Sequence, residues 1–439
     1  MSSDESAAQA TARPDAGPSG PEYLRLVGFA ALIGIPAAVV AALFLAFVHD
    51  GQHWLWADLP ARLGHSSPPW YLVIGLPVVG AAIVVAARLL LPGDGGHSPI
   101  NGIDASPTPF SHGPGVAVAA TGTLMFGAVL GPEGPLIALG SVTAMAFAPL
   151  MRLTKRQSGG LALAGSFSAI SALFGGPIVG GVMMVEASAP MLGATLIPVL
   201  LPGFVAAALG YTIFIGFGNW GGLGVPGLEV PGLPAYHGTH IRDLIVAVFV
   251  GVIAAAIIAP IRRLARRISD DRRLGLPVLL LGGGLAVGAL AEAADLLGAS
   301  SQDVLFSGQS SVPALISPES TKILVILIVA KGIAYAVSLG CGFRGGPVFP
   351  AIFLGVAVAT FAVDWFHMSP TVAVAAGAAA GMCASTRLVL TSILFGALLV
   401  GLVGLDAVPA VVLAAAAAWL TMSILEPVHP PADPEPHPG

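Results

Sequence analysis

The order of apolar runs and polar breaks along the chain predicts its elements. Residues 26–48 and 70–91 are continuous apolar runs, each matching the ~20 residues of helix that a bilayer's hydrocarbon core requires. Residues 191–217 and 241–261 are long in the same way. Between them the runs shorten. Residues 114–130 and 136–151 are separated by Gly131-Pro132-Glu133-Gly134-Pro135, and 159–174 and 177–187 meet at Phe174-Gly175-Gly176-Pro177. Segments of that length predict helices interrupted inside a membrane, where irregular backbone survives only if protein or water surrounds it. Trp54 and Trp56, in a polar connection after the first run, read as an interfacial anchor.

The second half repeats the first. Gly75-Leu76-Pro77-Val78 recurs as Gly275-Leu276-Pro277-Val278, the stretch from Pro135 to Gly140 is echoed from Pro350 to Gly355, and Ala164-Gly165 returns as Ala376-Gly377. The offsets, 200, 215 and 212 residues, are nearly constant, the mark of an internal duplication. An odd number of crossings in the first half would invert the second. The breaks near 131–135 and 345–350 would then meet at the bilayer midplane, an arrangement that points to a transport site. The predicted fold class is all-α integral membrane, an inverted-repeat bundle of broken and tilted helices. Its parts are a disordered tail (1–22), a first membrane repeat (23–217), an extracellular linker (218–240), a second repeat (241–426) and a disordered tail (427–439). Arg262, Arg263, Arg266, Arg267, Arg272 and Arg273 follow the 241–261 run, whereas 218–240 holds no Lys or Arg. The positive-inside rule therefore places the Arg cluster in the cytoplasm and the linker outside.

Composition narrows the class. With 56% hydrophobic and 9% charged residues, against roughly 25% charged in soluble domains, the chain is predicted to be a multi-pass protein of the cytoplasmic membrane, embedded in the lipid bilayer. A net charge of -5 without a basic patch gives no reason to expect a nucleic-acid partner. Cys341 and Cys383 lack metal-ligand spacing, so neither a metal nor another cofactor is expected. No Ser/His dyad, His-x-x-Glu helix or Cys/His ligand set offers Glu133 a catalytic partner, and the chain is not expected to be an enzyme.

Glu133 is the one charged residue between 114 and 151. Ionised there, it costs several kcal/mol unless a cavity, water or donors receive it. The flanking glycines and prolines break the helix and free N–H groups at the positive end of the outgoing segment; Pro135 suits a first turn, where no N–H is needed. The second break, Gly342-Phe343-Arg344-Gly345-Gly346-Pro347-Val348-Phe349-Pro350, has glycines that permit close approach to its backbone. Arg344 within it and Lys331 in the run 323–339 either make the midplane electropositive or snorkel to an interface. A small anion is the simplest substrate for such a place, with Glu133 competing for the same donors. His97 and Ser98, in the Gly-rich break at 93–102, could donate to that anion or cap a turn. Glu186 ends the run that starts at Pro177 and either lines an inner vestibule or meets water at a helix end.

Together these features resemble the CLC family of chloride channels and proton/chloride exchangers. The features are the Gly131–Pro135 motif, the Gly-Gly break at 95–99, Lys331, the Gly-Gly-x-x-x-Pro break at 345–350 and the two inverted halves, over about residues 25–425. The resemblance implies that Glu133 is a gate entering and leaving an anion site built at Gly131, Gly134, Pro135, Gly345, Gly346, Val348 and Phe349. It puts His97 or Ser98 in place of the family's anion-binding serine and implies a homodimer with one pore per subunit. Several positions depart from the family's pattern. Pro132 replaces its Arg or Lys. Pro347 lacks an N–H at one of two positions where the N–H faces the ion. Ala187 falls on the exchangers' inner proton-port glutamate, with Glu186 one residue before it. No tyrosine follows Tyr335 to serve as the family's pore tyrosine. The expected function is transport of chloride or another small anion, passive conduction being favoured over proton-coupled exchange through Glu186. Cation-coupled carriage of an organic substrate would want several carboxylates at midplane, and Glu133 alone is clearly placed there.

Overall fold

The computed structural model describes residues 20–192, 196–221, 230–271, 274–315 and 320–427. Fourteen helices of more than ten residues organise them: α1 (Gly20–His53), α2 (Trp70–Leu90), α3 (Gly113–Leu124), α4 (Glu133–Phe147), α5 (Lys155–Leu173), α6 (Pro177–Leu192), α7 (Leu196–Gly221), α8 (Ile241–Asp270), α9 (Leu276–Leu296), α10 (Thr321–Gly340), α11 (Val348–Phe366), α12 (Pro370–Thr386), α13 (Val389–Leu399) and α14 (Val408–Leu425). Among the described residues, seven helical segments are long and apolar enough to cross a membrane. Shorter apolar helices, α4, α12 and α13 among them, lie between these.

Small residues let these helices touch backbone to backbone, which is how helices associate where lipid competes equally well for apolar side chains. At the contact of α4 with α5, a Cβ on Gly140 would stand 2.4 Å from the Gly165 carbonyl oxygen, and one on Gly165 2.3 Å from that of Gly140. The contact of α11 with α12 copies this: a Cβ on Gly355 would stand 2.1 Å from the Gly377 carbonyl. Two further bonds exchange between the halves. The Val129 N–H donates to Ser338 Oγ at 3.0 Å, and the Arg344 N–H to Thr123 Oγ1 at 3.1 Å. Donors (129 and 344) and acceptors (123 and 338) both stand 215 positions apart, the offset that relates Pro135 to Pro350.

The structure departs from the apolar pattern in four places. The run 114–130 is helical only to Leu124. Beyond it the backbone turns at Gly127 (φ 93°) and is held from outside, by Trp56 Nε1 on the Met125 carbonyl at 2.9 Å and the Phe306 N–H on the Gly127 carbonyl at 3.3 Å. Trp56 is accordingly a buried residue, edge-on to Phe306, and not an interfacial anchor; Trp54 is exposed. The connection that carries both tryptophans continues α1 as a π-turn, Trp54–Asp58, and a short helix, Leu59–Arg62. Finally, α1 begins at Gly20 and α7 continues to Gly221, so helix extends into the edges of the expected tail and linker. Residues 1–19, 222–229 and 428–439, with Arg272 and Arg273, lie outside the described residues.

Gly355→Ala is expected to lower stability by about 1–3 kcal/mol through overpacking. Gly282→Ala in α9, where a Cβ meets nothing within 4 Å, should be near neutral. Thermal unfolding of the two variants in detergent checks the difference.

Candidate functional site

Two helix N-termini face each other across the break. Glu133 opens α4 behind Pro132, and Val348 opens α11 behind Pro347. Proline fits each junction because the first residues of a helix have no intrahelical acceptor for an N–H. The segments leading in meet in one isolated antiparallel bridge: the Gly131 N–H donates to the Gly346 carbonyl at 2.8 Å, and the Gly346 N–H to the Gly131 carbonyl at 2.6 Å. That reciprocal pair satisfies two donors and two acceptors far from water.

The Glu133 side chain folds into this junction and is fully buried. Its Oε1 accepts the Val348 N–H at 2.9 Å and the Phe349 N–H at 3.0 Å, while Oε2 has no hydrogen-bond partner among the described residues. The slot exists because its walls are glycine. A Cβ on Gly131 would lie 2.1 Å from Oε2, and one on Gly346 2.0 Å from it. Gly134 closes the far side, its notional Cβ 2.7 Å from the Gly345 carbonyl. Below the donors, the Phe349 ring stacks on Phe174 at 5.7 Å, with Phe395 edge-on to both. The missing N–H at Pro347 is offset by the next residue: the donors are Val348 and Phe349. Chemically the place is an anion receptor, two aligned N–H groups at a helix's positive end, with a carboxylate as its present occupant.

Gly131, Gly134, Gly345, Gly346, Val348 and Phe349 therefore come together around Glu133, with Pro135 in the first turn of α4. The other candidates do not touch the carboxylate. His97 Nδ1 stands 2.7 Å from Asp104 Oδ2 and Nε2 3.2 Å from Thr108 Oγ1, and the imidazole's bond holds the Asp104 carboxyl below the usual carboxylate range. His97 lines a crevice with Gly95, Gly96, Gly134, Arg344 and Gly345, which puts it one layer from the slot. Ser98 only precedes the Pro99–Asn101 turn and makes no capping bond through its side chain.

Arg344 is buried beside Gly345 and pairs with Asp94, donating also to the Asp94 carbonyl at 3.0 Å. Arg88 shares that carboxylate at 2.7 Å and donates to the Gly342 carbonyl at 3.0 Å. Two guanidinium groups thus face one carboxylate, and the second break keeps a positive surplus on this side. Lys331 is different from expectation. Its ammonium donates to the carbonyls of Asp303, Val304, Leu305 and Phe306 at 2.9–3.2 Å and sits 4.6 Å from the Phe353 ring centroid. It neither snorkels nor faces the slot; it caps the turn that carries those four carbonyls. Glu186 likewise proves to be a cap. Its carboxylate accepts the Leu390 N–H (2.9 Å), the Thr391 N–H (2.7 Å) and the Thr391 hydroxyl (2.5 Å), closing the N-terminus of α13 from α6. Asp94, Asp104 and Tyr335 were not singled out from the sequence. A carboxylate inside the Gly-rich break was the available signal for Asp94.

A multi-pass helical bundle in which two broken helices clasp a buried carboxylate has the architecture of an inverted-repeat membrane transporter. A sequence profile described as "Voltage gated chloride channel" matches residues 98–423, and the chain belongs to that family, the CLC family. It is 29% identical over 341 residues to the protein YfeO of Escherichia coli (strain SMS-3-5 / SECEC), covering 75% of this chain and 77% of that one. YfeO of Escherichia fergusonii matches to the same extent. A crystal structure described as a slow cyanobacterial Cl-/H+ antiporter superposes with a TM-score of 0.74 at 17% identity, over 92% of this chain and 95% of that one. One described as a CLC-type fluoride/proton antiporter gives 0.71 at 19% identity, over 92% and 96%. The protein is a multi-pass membrane protein of a family of anion channels and transporters, not of enzymes.

Gly346→Ala is expected to drive the Glu133 carboxylate out of the slot, and a density map of that variant checks this; a carboxylate unmoved between residues 131 and 346 would refute the fit. Lys331→Met should cost more than about 2 kcal/mol, because buried carbonyls lose their donor, measured as a thermal shift in detergent.

Proposed function

We propose that the protein carries chloride or another small anion across the cytoplasmic membrane through the junction of α4 and α11, with Glu133 as its gate. The observation that carries this is the pair of bonds from the Val348 and Phe349 N–H groups to one carboxylate oxygen. Those two donors suit a halide as well as they suit a carboxylate. When ionised, the side chain fills the site; when protonated, it loses the charge that holds it to the helix end, and an entering anion can take its place. The surplus positive charge of Arg344 and Arg88 over Asp94 favours an anion near the junction.

Passive conduction is favoured over proton-coupled exchange. Exchange would need an inner carboxylate free to trade protons, whereas Glu186 is committed to the N-terminus of α13 and Ala187 follows it. Cation-coupled carriage of an organic substrate would need several carboxylates at the junction, and among the described residues only Glu133 stands there. The functional unit expected from the family resemblance is a homodimer with one pathway per subunit, oriented with the Arg262–Arg267 face in the cytoplasm.

Protonation empties the slot, so anion flux should rise as external pH falls. In chloride-loaded liposomes, Glu133→Ala should give a flux that no longer responds to pH, and an unchanged profile would overturn the gate assignment. Recording pH during the same flux separates the modes: stoichiometric proton movement against an anion gradient would replace conduction by exchange.

A further inference from the structure

We propose that Tyr335 is a positioning residue that fixes the Val348 N–H toward the anion, and thereby favours small, strongly hydrated anions over large ones. The proposal rests on the anion-site reading above and extends it to a residue that never touches the ion.

Tyr335 lies on α10 and is fully buried. Its hydroxyl donates to the Pro347 carbonyl at 2.7 Å. That carbonyl and the Val348 N–H are the two ends of one planar peptide and point in opposite directions. Holding the oxygen therefore aims the hydrogen, which reaches Glu133 Oε1 at 2.9 Å. A donor on the carbonyl also polarises the peptide and strengthens its N–H as a donor. The phenol is itself held. Ser385 Oγ on α12 stands 3.1 Å from it, the Ser385 carbonyl accepts from Arg262 on α8, and Arg262 Nε lies 3.2 Å from Glu426 Oε2. A chain of polar groups thus runs from the junction through Arg262 of α8 to the end of α14.

The other helix end lacks this clamp. At the 215-residue offset, Pro347 corresponds to Pro132 and Tyr335 to Ala120. The Pro132 carbonyl takes the ordinary helical bond from the Leu136 N–H at 3.0 Å. The junction pairs one fixed donor terminus with one that carries a side chain able to leave.

A buried tyrosine needs an acceptor in any core, so the test must separate positioning from packing. A rigidly aimed N–H matters most to an anion of high charge density, since that anion surrenders the strongest hydration. Titration calorimetry of chloride and of thiocyanate into the full-length Glu133→Ala protein in detergent, with and without Tyr335→Phe, reads the difference. The ring stays, and the hydroxyl's bonds to the Pro347 carbonyl and to Ser385 Oγ go. Chloride should weaken about fivefold, the scale of one lost hydrogen bond, while thiocyanate holds constant. Equal weakening of both, or no change in either, overturns the proposal. If Glu133→Ala alone binds neither anion, the site reading itself fails, and this inference with it. Should Tyr335→Phe not fold, Ser385→Ala removes the hydroxyl behind the phenol. Weakening of chloride alone supports the proposal, and any other result overturns it.

Discussion

The structure depends on one constraint: a backbone that leaves helical geometry inside lipid has to find its hydrogen bonds in other protein. Neither break can meet that demand alone. Gly131 supplies the acceptor and donor that Gly346 lacks, and receives the same in return. Everything near the junction is arranged to protect that exchange. Ser338 and Thr123 take the N–H groups two residues upstream, and glycines let the two segments come close enough. The slot for a carboxylate is what remains when two such turns meet with no side chain between them.

Near-symmetry is what makes the differences informative. The Gly-Pro pairs at 131–132 and 346–347 match across the 215-residue offset, and the glycine contact of α4 with α5 recurs between α11 and α12, Gly140 and Gly355 standing 215 residues apart and Gly165 and Gly377 212. At the next position the halves diverge, with Glu133 in one and Val348 in the other. The first half provides the charged occupant, and the second provides the two N–H groups that hold it. A duplicated scaffold with one acidic side chain has a built-in division of labour between guest and host.

The gross design was legible in the sequence because it is written in local signals. Run lengths, paired glycine-proline breaks and a repeated order of motifs need no knowledge of distant partners, and they led to Glu133, Val348 and Phe349. Single charges were not legible in the same way. Lys331, Arg344 and Glu186 each had two readings, and the choice depended on groups far along the chain: carbonyls at 303–306, a carboxylate at 94, N–H groups at 390–391. Hydropathy also misjudged 125–130, since a segment buried in protein and one buried in lipid have the same composition. Trp56 shows this most plainly, because its indole bonds a carbonyl that only the folded chain brings to it.

The reciprocal glycine pairing also has a consequence for how the chain is made. Its two members are separated by 215 residues, which a ribosome adding about 5–20 residues each second needs roughly 10 to 40 s to supply. Throughout that interval the first break has been synthesised and its complement has not. Newly inserted α3 and α4 must keep Glu133 and the open peptide groups of Gly131 in contact with water or with the insertion machinery, and commitment to the bilayer interior can come only after translation has passed Phe349.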